Sequence, residues 1–140
     1  MEITKELLDQ MNDNGVYETM GIRIEKARDG KAHSHLRPAP MLCWPFPGRP
    51  HGGVLFTFMD ATMAWAVLSQ VEPGQNCATI STDIQYTNPA RGDRFTCAAW
   101  TTHRTGRLGF VRAEISDAKG QLVAMGQATF RIIEMDFVRA

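Results

Sequence analysis

The chain has no surplus of charge: lysine and arginine total 15, aspartate and glutamate total 15, and the formal net charge is zero. That excludes the long-range basic field of a nucleic-acid or polyanion binder, while a local basic pocket for a phosphorylated ligand stays open. Cysteine is scarce. Cys43, Cys77 and Cys97 are odd in number and far apart, so they form neither a C-x-x-C pair nor a disulfide framework. No apolar run is long enough to cross a bilayer. The opening residues, Met-Glu-Ile-Thr-Lys-Glu, lack the basic and apolar regions of a signal peptide. A reduced, cytoplasmic setting with no membrane partner is the expectation. What is present is 140 residues, 44% of them hydrophobic, enough for a single domain over residues 1–140 that buries its own core.

Hydrophobic spacing orders the elements. Ile3, Leu7, Leu8 and Met11 recur at helical intervals behind a capping Thr4, which predicts a short N-terminal helix over about 3–13, ended by Asn14-Gly15. Residues 21–28 and 31–37 read as two strands joined at Asp29-Gly30, a hairpin signal. Pro38, Pro40, Pro45, Pro47 and Pro50 deny the next stretch any regular ladder, so it is an irregular loop. Residues 52–71 follow as one long central helix with no polar face, which predicts burial on most sides. Beyond Pro73-Gly74 the period becomes two. Ala78, Ile80, Ile84 and Tyr86 alternate with Thr79, Ser81, Asp83 and Gln85. Turns at 88–93, 104–107 and 117–120 then separate further strands. Strands with short links pair antiparallel, and a sheet with one wholly apolar helix curls around it. The class is α+β, with five to six strands wrapped on the central helix.

One residue of that helix does not belong. Asp60 has Phe56, Thr57, Met63 and Ala64 one turn away on either side, and none is a cation. A carboxylate in apolar surroundings shifts its pKa or finds a partner elsewhere in the fold. Two readings stand: a functional acid, or an acid that hydrogen-bonds nearby backbone and fixes the helix. Just upstream, His51-Gly52-Gly53 joins the proline-rich loop to the helix. The glycines allow close backbone approach, and first-turn N–H groups at the positive end of a helix can polarise a carbonyl oxygen.

Other candidates are weaker. A structural hydrogen bond is the better role for His51 than proton transfer. His33 and His35 share one face of a strand but have no evident third ligand, so no metal is expected. Nothing orients Cys43 and His51 as a nucleophile pair. Trp44 and Phe46 suit an apolar or aromatic ligand, whereas Phe56 and Trp65 are expected in the core. Arg104 and Arg107, around the Gly106 turn, are either solvated or contacts for the phosphates of a ligand.

Three stretches carry a family resemblance: P-G-R-P-H-G-G-V-L-F-T-F-M-D-A-T-M-A-W-A from Pro47, T-I-S-T-D-I-Q-Y-T-N-P-A-R-G-D from Thr79, and D-A-K-G-Q-L-V-A-M-G-Q-A-T-F from Asp117. Together they resemble the hotdog-fold thioesterase superfamily in its PaaI-like branch, that of phenylacetyl-CoA and 4-hydroxybenzoyl-CoA thioesterases. The resemblance runs over residues 21–133. It implies hydrolysis of an acyl-CoA thioester, with Asp60 as nucleophile or general base and the Gly52 N–H holding the thioester oxygen. Thr79 then positions water or the acid. By their own chemistry and place in the chain, His51, Gly53, Trp44, Phe46, Arg104, Gly106 and Arg107 are the expected substrate contacts. The resemblance further implies a homodimer, or a tetramer of two dimers, with Gly52 of one subunit facing Asp60 of the other. No cofactor is implied, since coenzyme A is part of the substrate.

The chain departs from the pattern at Pro45, six residues before His51, where the family has Asn or Gln. Proline offers no donor there, which keeps a non-catalytic acyl-CoA-binding protein as the alternative. Phe46-Pro47-Gly48 also resembles the hotdog dehydratases, but Pro45 and Phe58 occupy the positions of their histidine and glutamate. Without an acid and a base, dehydration is not expected.

Overall fold

Asn14 closes one helix and opens another. In the computed structural model, which describes residues 1–135, α1 spans Lys5–Asn12 and α2 spans Gly15–Met20. Thr4 caps α1 by accepting the Leu7 N–H at 3.2 Å. Asn14 donates to the Met11 carbonyl at 2.7 Å and accepts the Tyr17 N–H at 3.0 Å. Asn14-Gly15 is therefore a helix start as well as a stop, because asparagine is among the strongest N-caps. The expected helix over about 3–13 is accordingly shorter, and α2 was unforeseen.

A hairpin follows, β1 (Ile22–Arg28) and β2 (Lys31–Leu36). Asp29 and Gly30 both have positive φ, at 50° and 77°, as a two-residue turn matched to strand twist requires. The proline-rich loop is less irregular than expected: Pro40–Leu42 make a 3-10 turn, and Cys43 bridges to Pro50. Helix α3 runs Gly52–Leu68, three residues short of the expected end. Four strands come after it: β3 (Gln75–Tyr86), β4 (Phe95–Arg104), β5 (Leu108–Asp117) and β6 (Leu122–Glu134).

The six strands form one sheet in the order β1-β2-β4-β5-β6-β3, each pair antiparallel. The sheet folds round α3, whose Phe58, Met59, Met63 and Val67 are fully buried against Phe95, Val111, Ile115 and Phe130. This is the hotdog architecture that the resemblance implies. Among the described residues no helix is long and apolar enough to cross a membrane.

Helix α3 is not buried all round. Gly53, Phe56, Thr57, Asp60 and Ala64 recur every three or four residues as a stripe that reaches solvent. Phe56 is 37% exposed, contrary to its expected place in the core, whereas Trp65 is buried as expected. Beside that stripe lies β3, a strand at the edge of the sheet with Ile80 and Tyr86 largely exposed.

Candidate active site

Strand β3 runs back along α3 and supplies most of the site. Its pairing with β6 slips between Thr79 and Ser81, leaving Ile80 as an extra residue. A bulge of this kind inverts the alternation beyond it. Thr79 and Thr82 therefore both reach α3, although an odd spacing of three would put them on opposite faces of a regular strand. The expected apolar face of Ala78, Ile80, Ile84 and Tyr86 is broken for the same reason, and Ile80 is 57% exposed.

Both hydroxyls serve Asp60. Thr79 Oγ1 donates to Asp60 Oδ1 at 2.9 Å, and Thr82 Oγ1 donates to the same oxygen at 3.3 Å. Among the described residues no group takes Oδ2, and no lysine, arginine or histidine pairs with this carboxylate. Asp60 is half-buried, so the acid sits on the exposed stripe instead of deep in the core. It is positioned from one side and open on the other. Thr82 was not foreseen, since only the bulge turns it toward the helix.

The surroundings of Asp60 are neutral. Trp65 Nε1 donates to the Tyr17 hydroxyl at 3.0 Å. Burial pushes the Tyr17 phenol up, the Trp65 hydrogen bond opposes this, and the nearby Asp60 carboxylate raises it further. Cys77 is pushed up to about 12, first by burial and then by Asp60, and its Sγ lies 3.7 Å from the Ala64 carbonyl. Both stay protonated at neutral pH. Burial likewise pushes Cys97 up to about 12. Cys43 Sγ donates to Ala39 and makes no pair with His51.

The start of α3 forms a second cluster. His51 is the N-cap, and its Nδ1 accepts the Gly53 N–H at 2.9 Å. An Nδ1 that accepts carries no proton, so the ring proton is on Nε2 and His51 is held as a cap. Val54 and Leu55 donate to the His51 carbonyl at 2.9 and 3.4 Å. Among the described residues nothing accepts the Gly52 N–H. His51 and Gly53 also line an apolar groove of about 640 Å³ with Met20, Met41, Leu42 and Trp44. Phe46 stands outside that groove, 61% exposed, with the Arg49 guanidinium 5.9 Å from its ring centre.

Gly52 and Asp60 are eight residues apart on one helix, which at 1.5 Å per residue is about 12 Å. One thioester cannot touch both groups of the same chain. Arg104, Gly106 and Arg107 lie farther off, at the turn between β4 and β5. The Arg104 guanidinium donates to the Gln70 carbonyl beyond the end of α3, while Arg107 is exposed. His35 pairs with Glu25 at 2.5 Å on the hairpin, which holds Glu25 below the usual carboxylate range. Phe58, where a dehydratase has its glutamate, is fully buried.

Comparison with known proteins gives consistent matches. The family model described as the thioesterase superfamily matches residues 48–124, which include His51, Asp60, Thr79 and Tyr86. A Halobacterium salinarum protein provisionally named an esterase is 30% identical over 135 residues, 90% of this chain and 89% of its own length. A thioesterase from Haemophilus influenzae has the same fold, with a TM-score of 0.88 at 19% identity, covering 96% of this chain and 94% of that one. A phenylacetic acid degradation-related protein from Ralstonia eutropha, provisionally named a thioesterase, has a TM-score of 0.75 at 27% identity, covering 83% of this chain and 88% of that one.

Proposed function

The chain belongs to the thioesterase superfamily, and on that footing we propose that it hydrolyses an acyl-CoA thioester to the free acid and CoA, with Asp60 as the reacting carboxylate. Hydrolysis of an acyl thioester in general follows from membership. The choice of Asp60 rests on one observation: Thr79 and Thr82 share Oδ1 and, among the described residues, leave Oδ2 without a partner. An oxygen held on one side and open on the other suits either a general base or a nucleophile.

The chemistry balances by either route. As a base, Oδ2 takes a proton from water while the water oxygen adds to the thioester carbon. The tetrahedral oxyanion then collapses, the C–S bond breaks, and the CoA sulfur takes up a proton. As a nucleophile, Oδ2 adds to the carbon itself and expels CoA, and water then cleaves the mixed anhydride. Both routes need a donor for the oxyanion, and the free Gly52 N–H at the positive end of α3 is suited to it.

The rise of about 12 Å along α3 between those residues supports a site shared by two copies. Strand β3 is twelve residues long and open at the sheet edge. Long open edges are normally covered, and a second β3 would cover this one while bringing Gly52 of one chain to Asp60 of the other. The uncharged groove beside Trp44 fits an apolar acyl group, aromatic or of medium length. Arg107 has a solvated guanidinium for the CoA phosphates. The free thiols fit a reducing, cytoplasmic setting.

The test is Asp60→Asn, followed by thiol release from a panel of acyl-CoAs. Turnover is expected to fall at least about a hundredfold, the ordinary worth of an acid–base group. Near-wild-type turnover in the variant removes Asp60 from the chemistry. Pro45 favours a second reading, acyl-CoA binding without catalysis, which tight binding with no thiol release by the wild type would support.

A further inference from the structure

The proposed oxyanion donor, the Gly52 N–H, belongs to the His51–Gly52 peptide unit and adjoins the sequence's one pair of neighbouring glycines. The next unit, Gly52–Gly53, is flanked by two glycines and rotates with little steric resistance, and its swing would carry the adjoining donor out of alignment. Here the Gly52–Gly53 unit is held at both ends. Its N–H, from Gly53, donates to His51 Nδ1 at 2.9 Å. Its carbonyl, from Gly52, accepts the Tyr86 hydroxyl at 2.7 Å. The carbonyl of the donor's own unit, from His51, is held by the Val54 and Leu55 N–H groups. Among the described residues, the Gly52 N–H is the first-turn donor left without an acceptor.

Tyr86 reaches this point because of the bulge at Ile80, which turns it to the same side of β3 as Thr82. Its ring lies on Gly52 itself, 3.1 Å from where a Cβ would stand, so a side chain at position 52 would press on the ring. Burial raises the Tyr86 phenol, which keeps its proton available to donate.

We propose that Tyr86 and His51 are positioning residues that lock the Gly52–Gly53 peptide unit and thereby aim the free Gly52 N–H. The inference rests on the reading of Gly52 as oxyanion donor. A donor of this kind acts on the transition state more than on bound substrate, so its misalignment appears in kcat. Removal of a side chain that only touches substrate in the groove appears in KM instead.

The test compares kcat and KM for Tyr86→Phe, His51→Ala and His51→Asn, with Asp60→Asn as reference. Tyr86→Phe is expected to lower kcat about tenfold, with KM within about twofold. His51→Ala is expected to fall similarly. His51→Asn should recover most of that loss, because asparagine caps a helix while still lacking the ring. The recovery separates positioning from substrate binding, since both His51 variants lose the imidazole. Unchanged kcat in Tyr86→Phe and His51→Ala, or equal kcat in the two His51 variants, overturns the inference. If Asp60→Asn is inactive while the clamp variants match the wild type, only the clamp falls. If Asp60→Asn is active, the functional reading itself has failed.

Discussion

The two oxygens of Asp60 have different surroundings, and that asymmetry makes the residue usable. Oδ1 accepts from Thr79 and Thr82 and so sets the side-chain rotamer. Oδ2 remains open to water or a carbonyl carbon. Hydrogen bonds to a charged group are worth about 1.5–3 kcal/mol where water is excluded, and less at a half-exposed site. Because one oxygen takes both, either threonine can partly cover for the other. Thr79→Val and Thr82→Val are each expected to lower kcat about threefold, and together by well over tenfold, a non-additive loss typical of groups sharing a partner. Steady-state kinetics on the two single variants and the double variant checks this. Strictly additive losses would mean that the two hydroxyls act independently.

At the scale of elements, α3 has two tasks on opposite sides. Its inner face fills the sheet, and its outer stripe carries Asp60 toward β3. The inner face supplies stability: Phe58 is fully buried among Met59, Val111 and Phe130 in the common core. Phe58→Ala is expected to cost about 3–5 kcal/mol, read as a fall in the urea midpoint with the slope unchanged. A loss below about 1 kcal/mol would mean that the sheet collapses onto the vacated space. Strand β3 depends on its bulge in an equally definite way. Cys77 and Thr79 lie before it, Thr82 and Tyr86 after it, and all four face α3 only because Ile80 is inserted between them.

For the whole molecule, the decisive distance is the roughly 12 Å along α3 from Gly52 to Asp60. The proposed dimer through β3 would solve that spacing and cover an open edge. Two variants inactive for different reasons should then complement one another. Gly52→Pro removes the donor N–H at the first helical position, where proline suits the backbone and its Cβ pushes the Tyr86 ring aside, and Asp60→Asn removes the acid. Unfolded together and refolded, they are expected to regain about a quarter of wild-type turnover, since half the dimers are hybrids with one intact site of two. Each variant refolded alone stays inactive. No recovery on mixing, with hybrids verified by mass, would mean that each site belongs to one chain.

Local rules made much of this legible in the sequence. Apolar periodicity located the central helix, Asp29-Gly30 the hairpin, and the spacing of Asp60 from His51-Gly52-Gly53 the acid worth testing. Those features depend on neighbours a few residues away. What escaped depends on contacts across the chain. Asn14-Gly15 read as an end because the α2 it caps has little periodicity of its own in six residues. Phe56 and Asp60 read as buried because an all-apolar helix does not declare which side its sheet leaves uncovered. Thr82 and Tyr86 went unnoticed because the slip in the pairing of β3 with β6 lies in hydrogen bonds between strands, which composition does not encode. The sequence by itself determined the elements, the hotdog resemblance and the candidate acid, since these follow from local spacing and motif. Only the tertiary structure decided which atoms surround that acid, because one inserted residue in an edge strand changes which side chains face the helix.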